Sequence, residues 1–270
     1  HRRQRQMCIR DSANAPAPVS AALSALVVKA AVYLMMRLWL DLFAPALDPA
    51  SAWLLGALGA VAVLWGSWNA LKAQRLKLLA AYSTVAQLGY LFIFFPLLVA
   101  LPAGPARDTA FGAQVLMALT HAFAKSALFL AAGMFQQLAG HDRIEELGGT
   151  ARALPVTTYT LALAGVALIG LPPSGAFLAK WQLLSSAFTL GQWLWVPVVA
   201  AGSLMAAGYV FRVLGFAFGP GDGAMQNLAD GREELPALLL AIVATVVLGL
   251  GAAAVWDFVA PGALLMETRR

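Results

Sequence analysis

Three runs of this chain, 51–71, 193–211 and 235–256, contain no Asp, Glu, Lys or Arg. Each is about 20 residues long, the length a helix needs to cross the hydrocarbon core of a bilayer. In that core every backbone N–H and C=O must be paired within the segment, which a helix does by itself. The composition agrees, with 61% of the 270 residues hydrophobic and 11% charged, against about 25% charged in a soluble domain. The sequence therefore reads as an all-α polytopic membrane protein. Its net charge of +5 is not a nucleic-acid signal, because Lys and Arg gather at span ends and in short loops. The basic loops at 72–77 and 140–153 predict the cytoplasmic side.

Residues 1–12, "HRRQRQMCIRDS", have no apolar core and no relation to the rest of the chain. They read as a non-native leader or assembly scar, with the membrane domain at 13–270. The only cysteine, Cys8, lies in this leader, so disulfides, Fe–S clusters and thiolate zinc sites are not expected in the domain. No cofactor motif is present.

Eight hydrophobic segments follow, at about 18–42, 51–71, 76–101, 109–139, 155–171, 175–190, 193–216 and 235–258. Trp53, Trp65 and Trp68 bracket the second, as residues of the membrane interface do. The third carries a polar stripe, Ser83, Gln87 and Tyr90. The fifth and sixth segments are short and separated by "GLPPSG", 170–175. Two short crossings is one reading; the other is a single discontinuous helix whose broken backbone lines a polar cavity. Pro172, Pro173 and Gly175 mark the break.

Four ionisable groups lie inside apolar segments: Lys29, His121, Lys125 and Lys180. A lysine at a helix centre costs about 2.5–3.5 kcal/mol on insertion scales, so each needs a reason. Snorkelling to an interface accounts for Lys72 and Lys77, near segment ends, but not for Lys29 or Lys125. His121 and Lys125 are four residues apart, hence on one helix face. A neutral imidazole beside a desolvated lysine can accept and pass a proton. The pair is a poor metal site, since His141 is in a loop and every acidic residue falls in a loop, at a helix end or in the leader. The three buried lysines are thus expected to have no buried acidic counter-ion in this chain, which implies either neutral lysines or a carboxylate from other protein, since unpaired buried charge is unfavourable.

Five stretches in order, "APAPVSAALSALVVKAAVYLMMR", "LKLLAAYSTVAQLGYLF", "LTHAFAKSALFLAAG", "DRIEELGGTARALP" and "GLPPSGAFLAKWQLL", resemble the proton-conducting antiporter-like subunits. These are the homologous membrane subunits of respiratory complex I (an NADH:quinone oxidoreductase), membrane-bound hydrogenases, formate hydrogenlyases and Mrp Na+/H+ antiporters. The resemblance implies two inverted five-helix repeats, each with a discontinuous helix, and a polar axis along the membrane plane. It implies that Lys29 connects two half-channels, that His121 and Lys125 serve the second, and that Lys180 is its terminal proton donor or acceptor. Lys77, Ser83 and Gln87 are accessory candidates.

It also favours one broken crossing, giving about seven crossings: a complete second repeat plus one helix of the first. The chain then reads as a C-terminal fragment, with the missing acid expected upstream. The function implied is a non-redox module relaying protons beside other membrane subunits in a bacterial cytoplasmic membrane. The alternatives are an Mrp-type subunit that also moves Na+ and, from another class, a structural membrane subunit.

Overall fold

The computed structural model describes residues 16–42, 49–221 and 234–267. The leader expected at 1–12 lies outside the described residues, as does the join to the domain at 13. Among the described residues all regular structure is helical: α1 (Ala17–Arg37), α2 (Pro49–Lys72), α3 (Leu76–Ala100), α4 (Pro105–Ala139), α5 (Thr150–Ala153), α6 (Pro155–Ile169), α7 (Gly175–Thr189), α8 (Trp195–Phe218), α9 (Leu235–Leu250) and α10 (Ala252–Glu267).

Five helices are long and apolar enough to cross a membrane: α1, α2, α3, α4 and α8. The pair α9 and α10 adds a sixth if it crosses as one unit, bent by 75° at Gly251. The segment expected at 235–258 is thus two helices joined at a bend. Its bend follows a π-helical turn, Val243–Val247, and falls at a residue without a Cβ. Helices α6 and α7 have 15 residues each, shorter than a crossing needs.

Helices α3 and α4 form the centre. Their apolar windows are 72% and 61% buried inside the protein, against 33–39% for α1, α2 and α8, which wrap around them. Small residues let α2 approach α3 backbone to backbone. A Cβ on Gly59 would fall 2.6 Å from the Gly89 carbonyl oxygen, and one on Gly89 would fall 2.4 Å from that of Gly59. Between lipid-solvated helices such close packing replaces a hydrophobic drive. Trp65 and Trp68 stay exposed at the other face of α2.

The loop end is held by one acidic residue. Asp142 is 2% exposed and accepts from Arg75 Nε at 2.7 Å and from the Lys77 backbone N–H at 3.3 Å. Backbone bonds Leu76 N to Asp142 O (2.8 Å) and Ile144 N to Gln74 O (2.9 Å) zip the two loops together. Arg212 of α8 donates to the carbonyls of Leu71 and Ala73 at the end of α2. Lys77, expected to snorkel, is instead covered at 4% exposed, because the 140–153 loop folds over the start of α3. Lys72 behaves as expected, exposed with Nζ 4.3 Å from the Trp68 ring centroid.

Asp142→Ala is expected to lower stability by about 1–3 kcal/mol, chiefly by stripping a buried acceptor from the α3 N-terminus. Arg75 is half exposed, so its ion pair contributes little. The midpoint of thermal unfolding of the full-length protein in detergent checks this; an unchanged midpoint would remove Asp142 as the clamp.

Candidate functional site

One face of α3 carries Ala80, Ser83, Thr84, Gln87 and Tyr90, at the spacing of helix neighbours. All five are buried, and every lysine foreseen inside a span meets one of them or a direct partner.

Lys125, on α4, is fully buried and donates to the Ala80 carbonyl at 2.8 Å and to Ser83 Oγ. The same carbonyl also accepts from Ser83 Oγ and Thr84 Oγ1, each at 3.0 Å. Three donors therefore converge on one oxygen with two lone pairs. Thr84 Oγ1 lies 3.1 Å from Ser24 Oγ of α1. Lys29, one turn further along α1, donates to the Ser24 carbonyl within the π-helical turn Leu23–Val27. The α1 and α4 lysines are thereby joined through Ser24, Thr84 and Ala80.

His121 sits one turn before Lys125, is 3% exposed, and has no hydrogen-bond partner on either ring nitrogen. The foreseen His121–Lys125 pair is therefore a shared face without a direct hydrogen bond. Thr120 Oγ1, next to it, is also buried and unpartnered.

Lys180, on α7, belongs to a second group. Its Nζ donates to the Ile169 carbonyl at 2.9 Å and to Ser203 Oγ of α8 at 3.0 Å, and lies 4.4 Å from the Tyr90 ring centroid. Ile169 is the last residue of α6, where carbonyls lose their intrahelical donors. Gly170 follows with φ 82°, a left-handed cap, and a Cβ there would meet Lys180 Cδ at 2.9 Å. Gln87 Nε2 takes the neighbouring Leu168 carbonyl at 2.8 Å. The interruption at 170–174 thus frees two carbonyls, one taken by Gln87 of α3 and one by Lys180 of α7, and Ser174 caps the start of α7 through the Phe177 N–H at 3.2 Å.

The 170–174 turn is clamped from two sides. A Cβ on Gly175 would fall 2.4 Å from Thr120 Oγ1, and one on Gly249 would fall 1.4 Å from the Pro173 carbonyl oxygen. Pro172–Pro173 is a cis peptide.

Sequence reasoning named Lys29, His121, Lys125, Lys180, Ser83, Gln87 and Tyr90, but missed Ser24, Thr84, Ser203 and the backbone carbonyls of Ala80 and Ile169. Ser203 was visible as a hydroxyl inside the charge-free run 193–211; the carbonyls carry no side-chain signal. Two acidic residues expected in loops are buried: Asp142, and Glu234 at 4% exposed, accepting from Thr157 Oγ1 at 2.6 Å. Neither pairs with Lys29, Lys125 or Lys180 among the described residues.

A helical membrane bundle with lysine ammoniums held on carbonyl and hydroxyl oxygens is the class that fold and site define. The chain belongs to the family described as NADH:quinone oxidoreductase/Mrp antiporter, TM, which it matches over residues 6–206. It is 34% identical over 247 residues to NADH-quinone oxidoreductase subunit N of Desulforudis audaxviator, covering 87% of this chain and 47% of that one. It is 40% identical over 178 residues to an Na(+)/H(+) antiporter subunit of Alkalihalophilus pseudofirmus, covering 63% and 22%. In structure it is similar to a chain of the membrane-bound sulfane sulfur reductase, an archaeal respiratory membrane complex, with a TM-score of 0.80 and 26% identity over 93% of this chain and 50% of that one. The chain thus spans about half the length of the quinone oxidoreductase relative and of that structure's chain, and less of the antiporter relative.

Proposed function

We propose that this chain is the C-terminal half of a proton-translocating membrane subunit, in which Lys29, His121, Lys125 and Lys180 hold and pass the proton. The observation that carries this reading is the bonding of the lysines. Each donates to a backbone carbonyl, two of them also to a hydroxyl, and none to a carboxylate among the described residues. An ammonium without a carboxylate partner has no strong reason to keep its proton in a low-dielectric span. It can therefore be loaded and emptied as charges nearby change. Lys77 and Gln87 support the axis, Lys77 at the loop end and Gln87 on the α6 terminus. In this reading the driving step belongs to neighbouring membrane subunits.

In this reading α6, the 170–174 turn and α7 make one interrupted crossing, for seven crossings in all, in a bacterial cytoplasmic membrane. The bond from Lys180 to the last carbonyl of α6 supports it, since an interrupted helix at membrane depth needs its freed carbonyls satisfied by protein. The upstream half would bring the acidic partner of Lys29, which lies on the outer helix α1.

Lys125→Ala in the full-length protein, within its native complex in sealed vesicles, is the test. Proton uptake followed with a pH-sensitive dye is expected to fall about 100-fold or more, the scale of losing a proton-transfer group. Uptake at the wild-type rate would sink the reading. A second reading, exchange of Na+ for H+, is favoured by the 40% identity to an Na(+)/H(+) antiporter subunit. It predicts that uptake in the same vesicles stops when Na+ is replaced by an impermeant cation; Na+-independent uptake leaves the first reading alone.

A further inference from the structure

The Ala80 carbonyl is claimed by more hydrogens than it can hold. Lys125 Nζ donates to it at 2.8 Å, and Ser83 Oγ and Thr84 Oγ1 each at 3.0 Å. Within α3 it is also the helical acceptor of the Thr84 N–H, four residues on. An oxygen with two lone pairs cannot keep all four, so a hydroxyl must turn away whenever the lysine takes its place. Ser83 is held by Lys125, which donates to its oxygen as well. Thr84 is the hydroxyl with another acceptor at hand. Ser24 Oγ of α1 lies 3.1 Å from Thr84 Oγ1, and either hydroxyl can be the donor of that bond. Both residues are buried, Thr84 at 8% and Ser24 at 5% exposed. Lys29 in turn donates to the backbone carbonyl of the same Ser24. Hydrogen bonds thus run from Lys125 to Lys29 through Ala80, Thr84 and Ser24 without a break.

We propose that Thr84 is a positioning residue that ties the loading of Lys125 to that of Lys29, by turning its hydroxyl hydrogen between the Ala80 carbonyl and Ser24 Oγ. The inference rests on the proton-translocation reading above. When Lys125 is an ammonium, its charge-assisted bond takes the Ala80 oxygen ahead of a neutral hydroxyl. Thr84 then donates to Ser24 Oγ, and the Ser24 hydrogen turns back toward the carbonyls of its own helix, as serine hydroxyls in helices do. It competes there for the acceptors that Lys29 needs, which disfavours a second ammonium. When Lys125 is a neutral amine, Thr84 recovers the Ala80 carbonyl and accepts from Ser24, leaving the α1 carbonyls to Lys29. No O–H or N–H bond breaks in this exchange. Two hydroxyl hydrogens rotate, and each lysine is favoured for loading when the other is empty. Direct repulsion between the lysines acts in the same sense; the hydroxyl pair adds the part that a side-chain change can remove.

The test is Thr84→Val against Thr84→Ser, in the full-length protein within its complex in sealed vesicles, read as dye-detected proton uptake. Valine keeps the branched shape and loses the hydroxyl; serine keeps the hydroxyl and loses the methyl. Uptake is expected to fall about tenfold with valine, the rate equivalent of one hydrogen bond, and serine to recover it to more than about half of the wild-type rate. A packing role predicts the reverse order, since the missing methyl is then what costs. Ser24→Ala should match Thr84→Val. The variant carrying both changes should be no slower than the slower single, because both remove one link. A fall smaller than about threefold with valine, a serine variant as slow as valine, or losses that multiply in the double variant overturns the proposal. If Thr84→Val does not assemble, Ser24→Ala carries the test with the same expectation and threshold. Lys125→Ala in the same vesicles separates the levels. If it is silent while Thr84→Val transports at the wild-type rate, only the hydroxyl coupling fails; if it transports normally, the functional reading fails.

Discussion

Lys180→Ala is expected to stop proton transport and, separately, to loosen the end of α6. Lys180 Nζ is a donor to the Ile169 carbonyl, in a position where that carbonyl has lost its helical partner. Alanine leaves the carbonyl buried and unpaired, a penalty of about 1–3 kcal/mol. It also leaves Ser203 Oγ without its cation and removes the terminal station of the proposed axis. Lys180→Met separates the two effects. Methionine keeps most of the length that runs past Gly170 but neither donates nor carries a proton. Transport should be absent in both variants, measured as dye-detected uptake by the full-length protein in vesicles. If the Met variant transports at the wild-type rate, Lys180 is a helix cap and not a relay group.

Gly249→Ala is expected to be the most damaging conservative change in the described part of the chain. The added carbon would sit 1.4 Å from the Pro173 carbonyl oxygen and 2.6 Å from its carbon. Both atoms are backbone, so no side-chain rotation relieves the overlap; α9 or the 170–174 turn must move. Overpacking of side chains already costs about 1–3 kcal/mol, and a backbone clash at a turn clamped on both sides exceeds that. The fraction of full-length protein recovered folded after detergent extraction, read by size-exclusion chromatography, should drop about tenfold. Gly215→Ala is the control, because a Cβ there meets nothing within 4 Å. Equal recovery of the two variants would mean that α9 does not pack against the turn.

Much of this was readable before any fold was seen. Charge-free runs of spanning length gave the class, because the bilayer allows few ways to satisfy a backbone. Lys29, Lys125 and Lys180 stood out for the same reason: in apolar spans an ammonium is conspicuous by its cost. Five ordered motifs identified the family to which the chain belongs. The period of α3 placed Ser83, Gln87 and Tyr90 on one face, and all three are buried there.

What the tertiary structure decided is which oxygens meet those lysines. A carbonyl is the same in every residue, so no pattern of letters could reveal that Ala80 gathers three donors or that Ile169 offers its oxygen to Lys180. Those partners exist only because α4 and α7 pack against α3 at one register. Burial of Asp142 and Lys77 was hidden likewise, since a loop residue's exposure depends on what folds over it. The bend at Gly251 belongs to the same class, for hydropathy reports length and not direction. Sequence by itself determined the solvent this chain needs and the charges it carries into it. Only packing determined how those charges are held, because hydrogen bonds act over about 3 Å and depend on direction, while the hydrophobic pattern does neither.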